Sequence, residues 1–140
     1  MMKTVVFGKG KLAIDVCEFL RKVKCELHVV PVMPEPTWTD SLKLWCVNNS
    51  IPYTDSGDYR DLDFKVELGI SIFYDKIFKK NFIDSCDKLI NVHNGPLPHY
   101  RGMSPINWAL KDNREEHGIT IHDITPGVDD GPIISQLNYS

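Results

Sequence analysis

Two rhythms of apolar residues alternate along this chain. Residues 3–7 (K-T-V-V-F) are β-branched and apolar and run into Gly8-Lys9-Gly10; beyond the glycines, Leu12, Val16, Phe19 and Leu20 recur at helical spacing. That predicts a strand, a glycine turn and a helix buried on the face of those four residues. Residues 26–32 read as a second strand, ended by the proline-rich piece 31–36. Leu42, Trp45 and Cys46 form the stripe of the next helix, with Thr39 or Asp40 as its N-cap and Asn48-Asn49-Ser50 as its stop. An extended piece, 51–54, leads to an acidic connection, 55–63, expected to be a solvated charge run at the surface. Residues 66–73 read as a central strand buried on both faces, as parallel strands are. A short helix near 81–86 and an apolar strand, 89–92, follow. Pro105 opens a helix to Lys111. Strands 118–124 and 132–137, joined by the turn-rich loop 125–131, come last.

Strands alternating with helices predict an α/β fold with a doubly wound, mostly parallel Rossmann-like sheet and right-handed crossovers. The chain stops just after an apolar strand, so the sheet is expected to lack a covering C-terminal helix. An open edge or face of that kind calls for more chain or a partner, with a homodimer as one candidate cover.

Composition narrows the classes. The 140 residues make one domain, and 42% hydrophobic with 25% charged residues is ordinary for a globular protein. A net charge of -3 supplies no general basic field for nucleic acid or an anionic membrane. Cys17, Cys25, Cys46 and Cys86 are scattered, without metal spacing or a disulfide framework, which reads as reduced thiols in a cytoplasmic protein. No signal peptide and no membrane-spanning run is evident.

The chemistry-bearing residues concentrate late. Gly8-Lys9-Gly10-Lys11-Leu12-Ala13 fits the G-x-G-x-x-A dinucleotide fingerprint, but the second strand ends in Val30-Pro31-Val32-Met33, without the ribose-binding carboxylate. Against the fingerprint stand a simple tight turn or an anion-binding helix N-terminus, and the turn is the better reading. His28 reads as a satisfied structural residue, and Trp38 and Trp45 as core. Asn91 and His93 differ: two polar side chains on the same side at the end of a buried strand, where open α/β sheets bind ligands. They could simply cap the strand and brace the loop after it. With Asp129, in Gly127-Val128-Asp129-Asp130-Gly131, they also suit acyl transfer to an amine, without a metal or a covalent enzyme nucleophile.

Residues 70–136 resemble the folate-dependent formyltransferase family. The likeness is carried by Asn91-Val92-His93, Leu97-Pro98-His99-Tyr100-Arg101-Gly102, Pro105-Ile106-Asn107-Trp108, Gly118-Ile119-Thr120-Ile121-His122 and Val128-Asp129-Asp130-Gly131. The resemblance implies a catalytic triad of Asn91, His93 and Asp129, and 10-formyltetrahydrofolate as formyl donor. It implies a pterin pocket lined by the backbone of Lys76, Ile77 and Phe78 and by Thr125, Pro126, Gly127 and Val128, with Thr120 and His122 as supports. Gly8, Gly10, Pro96, Tyr100, Arg101 and Gly102 are the candidate substrate-binding residues. Tyr74-Asp75 stands where many relatives have Tyr-Gly.

Asn94-Gly95 after the histidine is more similar to nucleotide-sugar N-formyltransferases, which makes a nucleotide-linked amino sugar the expected acceptor. Methionyl-tRNA or glycinamide ribonucleotide formyltransferase, a formyltetrahydrofolate hydrolase, and an inactive, truncated folate-binding domain are the alternatives.

Overall fold

Among the described residues, six strands form one sheet in the order β2-β1-β3-β4-β5-β6. The computed structural model describes residues 1–93, 117–124 and 133–139. The strands are β1 (Lys3–Gly8), β2 (Glu26–Pro31), β3 (Leu68–Ile72), β4 (Lys88–His93), β5 (His117–Asp123) and β6 (Ile133–Tyr139). The helices are α1 (Gly10–Lys22), α2 (Leu42–Asn48) and α3 (Lys80–Ser85), with a 3₁₀ turn at Tyr59–Asp61. The first four strands are parallel, whereas β5 pairs antiparallel with both β4 and β6. The expected doubly wound, mostly parallel sheet is present. The predicted helix 105–111 and loop 125–131 lie outside the described residues.

Alternation along the strands separates two cores. On one face Val6, Val29, Ile70, Ile72 and Val92 pack with Ala13, Cys17 and Leu20 of α1 and with Leu42 and Cys46 of α2. On the other, Val5, Phe7, Val30 and Leu89 pack with Tyr59, Phe78 and, from α3, Phe82 and Ile83. β3 is nearly sealed on both faces, as its run of apolar residues predicts. β2 lies on one side of β1 and β3 on the other, so the chain reverses its winding between β1 and β3. Their carboxyl ends frame the crevice in which such sheets bind ligands.

Four local expectations are corrected. The buried stripe of α1 is Ala13, Cys17 and Leu20, and Phe19 is 63% exposed, because small residues let the helix lie close on the sheet. The N-cap of α2 is Ser41, not Thr39 or Asp40: its Oγ accepts from the Leu44 N–H at 3.0 Å and donates to Glu35 Oε1 at 2.5 Å. The acidic connection is more than a solvated run, since Tyr59 within it is only 3% exposed. Trp38 is not core; it is 78% exposed.

Outside β2, the 51–54 piece forms a parallel bridge between Val29 and Tyr53. The Val29 N–H donates to the Pro52 carbonyl at 3.0 Å and the Thr54 N–H to the Val29 carbonyl at 2.9 Å.

Candidate functional site

One row of residues crosses four strands in register. Phe7 of β1 pairs with Ser71 of β3, Ser71 with Asn91 of β4, and Asn91 with His122 of β5. Two residues further along β4, His93 pairs with Thr120. Because β5 runs antiparallel, its register positions 120 and 122 return to the end of β4 at which Asn91 and His93 stand. Sequence reasoning joined these four residues in two separate motifs, and the strand register brings the motifs together. Asp129, Thr125 to Val128, Pro96, Tyr100, Arg101 and Gly102 lie outside the described residues.

The row divides into an apolar and a polar half. Phe7 is fully buried, and its ring meets Tyr74 at 5.5 Å, Phe78 at 5.0 Å and Phe82 at 6.0 Å between centroids. Ser71, the next residue in the row, is 6% exposed, and among the described residues its hydroxyl has no hydrogen-bond partner. Asn91, beside it, is half-buried. Ser71 is a site neighbour that the sequence reading missed, its one signal being a lone hydroxyl in the apolar run L-G-I-S-I.

The loop after β3 is held on this face by two tyrosines. The Tyr74 hydroxyl donates to the Gly57 carbonyl at 2.7 Å and accepts from the Tyr59 N–H at 3.0 Å. Burial pushes the Tyr74 phenol well above its usual range, against the smaller opposing effect of that N–H, so it stays a neutral donor. The Tyr59 hydroxyl accepts from the Lys79 N–H at 2.9 Å and donates to the Ile77 carbonyl at 3.3 Å. Of the three residues expected near a pterin, Phe78 is only 5% exposed, with its ring in the aromatic cluster. Ile77 is 67% exposed, and Lys76 lies 3.8 Å from Asp75.

The glycine turn sits at the neighbouring strand end. A Cβ on Gly8 would lie 2.0 Å from the Ile72 carbonyl oxygen, so only glycine lets β1 and β3 approach this closely. The Lys9 N–H donates to that same oxygen at 3.2 Å. Gly10 has φ +82°, which an L side chain rarely adopts. Glu35, the first carboxylate after the second strand, is taken up by α2: it accepts from Ser41 Oγ and, at 3.1 Å, from the Lys43 N–H. That supports the tight-turn reading over a ribose-binding one.

Two depressions of about 230 and 500 Å³ lie elsewhere, one at the start of β4 around Lys88 and Asp123, the other outside the aromatic cluster around Arg60 and Lys79. Neither is lined by Asn91, and the polar register at the strand ends is the stronger chemical argument. Among the described residues no cluster of His, Cys, Asp and Glu could hold a metal ion, and no helix is long and apolar enough to cross a membrane.

Comparison with known proteins bears on what this arrangement serves. The formyl transferase family profile matches residues 53–140, more than half of the chain. The chain belongs to the formyl transferase family. It is 43% identical over 77 residues to the methionyl-tRNA formyltransferase of Thermosipho africanus, covering 55% of this chain and 25% of that protein. It is 38% identical, over an alignment of 151 residues, to the bifunctional polymyxin resistance protein ArnA of Wigglesworthia glossinidia brevipalpis, covering 98% of this chain and 23% of that protein. Among solved structures, the N-formyltransferase from Helicobacter canadensis, in complex with folinic acid and dTDP-3-aminofucose, superimposes with a TM-score of 0.80 at 28% identity. That likeness covers 99% of this chain and 53% of the other. This formyl transferase chain thus spans about a quarter of the two curated relatives named and about half of the solved neighbour.

Proposed function

We propose that the chain forms one catalytic domain of an N-formyltransferase that moves the formyl group of 10-formyltetrahydrofolate to the amine of a nucleotide-linked amino sugar. The observation that carries this reading is the register of Asn91 and His93 with His122 and Thr120, at the carboxyl end of β4, in a formyl transferase chain. The sugar acceptor is supported by the likeness to the Helicobacter canadensis enzyme and by Asn94-Gly95 after the histidine.

The residues present fit a folate. A pterin is a flat heterocycle, and the exposed Ile77 offers it an apolar surface beyond the end of β3. Residues 125–128 complete that lining in this reading. 10-Formyltetrahydrofolate supplies the electrophilic formyl carbon when bound. The Asn91 carboxamide donates an N–H to the formyl oxygen as charge develops there. His93 takes the proton from the attacking amine, or as imidazolium holds that oxygen, and Asp129 orients the ring and favours its protonated form. No covalent bond to the enzyme is needed. β6 ends the sheet, which keeps the homodimer within this proposal, and light scattering tests it.

A formyl-transfer assay over a panel of nucleotide-linked amino sugars tests the reading, with methionyl-tRNA, glycinamide ribonucleotide and an amine-free control alongside. Tetrahydrofolate release that depends on an amino sugar is the expected result. Transfer to methionyl-tRNA alone would overturn the sugar assignment, and release without any amine would make the chain a hydrolase. Folate binding without turnover would leave a folate-binding domain.

A further inference from the structure

We infer that Trp38 and Lys9 form the nucleotide-reading end of the acceptor site, Trp38 as a stacking platform for the base and Lys9 as the cation for the adjoining diphosphate. The inference rests on the proposed transfer to a nucleotide-linked amino sugar and adds where the nucleotide lies. Trp38 leaves an indole in water, forgoing the large gain that burying a tryptophan brings. The loop beneath it is pinned. Glu35 ties it to Ser41 and to the Lys43 N–H, and the Val32 N–H donates to the Gly8 carbonyl at 2.8 Å. Thr39 Oγ1 lies 2.9 Å from the position a Gly10 Cβ would take, so the residue after Trp38 is packed on the glycine turn. The indole is therefore displayed by a held loop beside the crevice between β1 and β3.

Lys9 Nζ stands 5.8 Å from the Trp38 ring centroid, and among the described residues it makes no ion pair. With Lys9 over one face of a largely exposed indole, the other face complements a base and the ammonium its phosphate: stacking accepts the ring, and the cation accepts the charge. The strand order then sets the reach. β1 and β4 are separated by β3 alone, two inter-strand spacings or about 10 Å. A sugar ring and a diphosphate span a gap of that order, so a diphosphate at Lys9, directly after β1, brings the sugar amine toward the register of Asn91 and His93.

Calorimetric titration of the chain with dTDP tests this. Trp38→Ala should weaken dTDP binding about tenfold or more, whereas Trp38→Phe, which keeps an aromatic face, stays within a few fold of the unaltered chain. Lys9→Gln should weaken binding several-fold and flatten its dependence on salt, because it removes a charge pair. Thermal melts should be unchanged for the Trp38 variants, since the side chain is exposed. Unaltered dTDP affinity in Trp38→Ala would overturn the inference, and so would a parent chain that binds no dTDP. The two readings fail separately. Formyl transfer to dTDP-3-aminofucose with a KM unmoved by Trp38→Ala sinks the inference alone. Loss of dTDP binding in Trp38→Ala, without formyl transfer to any amino sugar, supports the inference and sinks the parent reading.

Discussion

His28 occupies an interior strand position because one partner satisfies it: its Nε2 lies 2.8 Å from Thr54 Oγ1, and its ring meets Phe64 edge-on at 5.2 Å. Burial foremost, and then the charge of Lys3, hold its pKa below the usual 6.5, with Asp63 acting in the opposite direction. As pH falls the unfolded chain therefore takes up the proton before the folded one does. The stability His28 contributes is in place above pH 6.5 and is lost as pH drops through 6.5 toward the lowered folded value. His28→Gln should shrink the difference in Tm between pH 7 and pH 5, and paired thermal melts at the two pH values measure it. In the proposed mechanism Asn91→Ala removes the oxyanion donor, so kcat should fall on the order of a hundredfold in a chain that still folds by its thermal melt. Normal turnover in that variant would remove Asn91 from the mechanism. Burial holds the Cys17 and Cys46 thiols well above their usual range, the latter at about 12, which keeps both protonated at neutral pH.

Among the elements, α2 and the glycine turn show what a sequence pattern does and does not reveal. The stripe Leu42, Trp45, Cys46 was legible because helical period and burial agree: Leu42 and Cys46 are buried, and Trp45 packs partly against the same core while donating its indole N–H to Glu18 at 2.6 Å. Its start was not legible, because Thr39, Asp40 and Ser41 are all competent caps, and only the path of the chain past Glu35 selects Ser41. Ser41→Ala should cost about 1 kcal/mol in a denaturant titration, and Asp40→Ala far less. Gly8 follows another logic. Its neighbours in sequence say only that a turn is near, whereas the contact that fixes it, with Ile72, lies across the sheet. Gly8→Ala should destabilise by roughly 1–3 kcal/mol or more, since backbone rather than a pliant side chain must yield. A shift in the urea midpoint measures it.

Across the whole molecule, the strands and their order of appearance were readable from period, and Asn91 and His93 stood out by their place at the end of a buried strand before any resemblance was drawn. The aromatic cluster was not readable. Tyr59 lies in an acidic, polar stretch, and its burial follows from Phe78 and Phe82 closing on it at 4.9 and 4.7 Å, residues about twenty positions away. Trp38 was misjudged for the complementary reason: its composition favours the core, but the loop that carries it is held at the crevice by Glu35 and Thr39. Tyr74→Phe checks the weight of the cluster. It removes the bond to the Gly57 carbonyl and leaves the Tyr59 N–H without its acceptor, a loss of about 1–3 kcal/mol in chemical denaturation.

The 51–54 piece beside β2 bears on how this protein avoids sticking to itself. β2 is β-branched, largely buried and at the end of the sheet, the profile of a strand that templates addition of a foreign one. The bridge at Val29 occupies the hydrogen-bonding positions that an incoming strand would use. The short segment therefore covers that edge, and its detachment would bare it short of global unfolding. Deuterium uptake at the Val29 and Thr54 amides should then rise before that of the β1 and β3 amides under mild denaturant, and the onset of light scattering should track it.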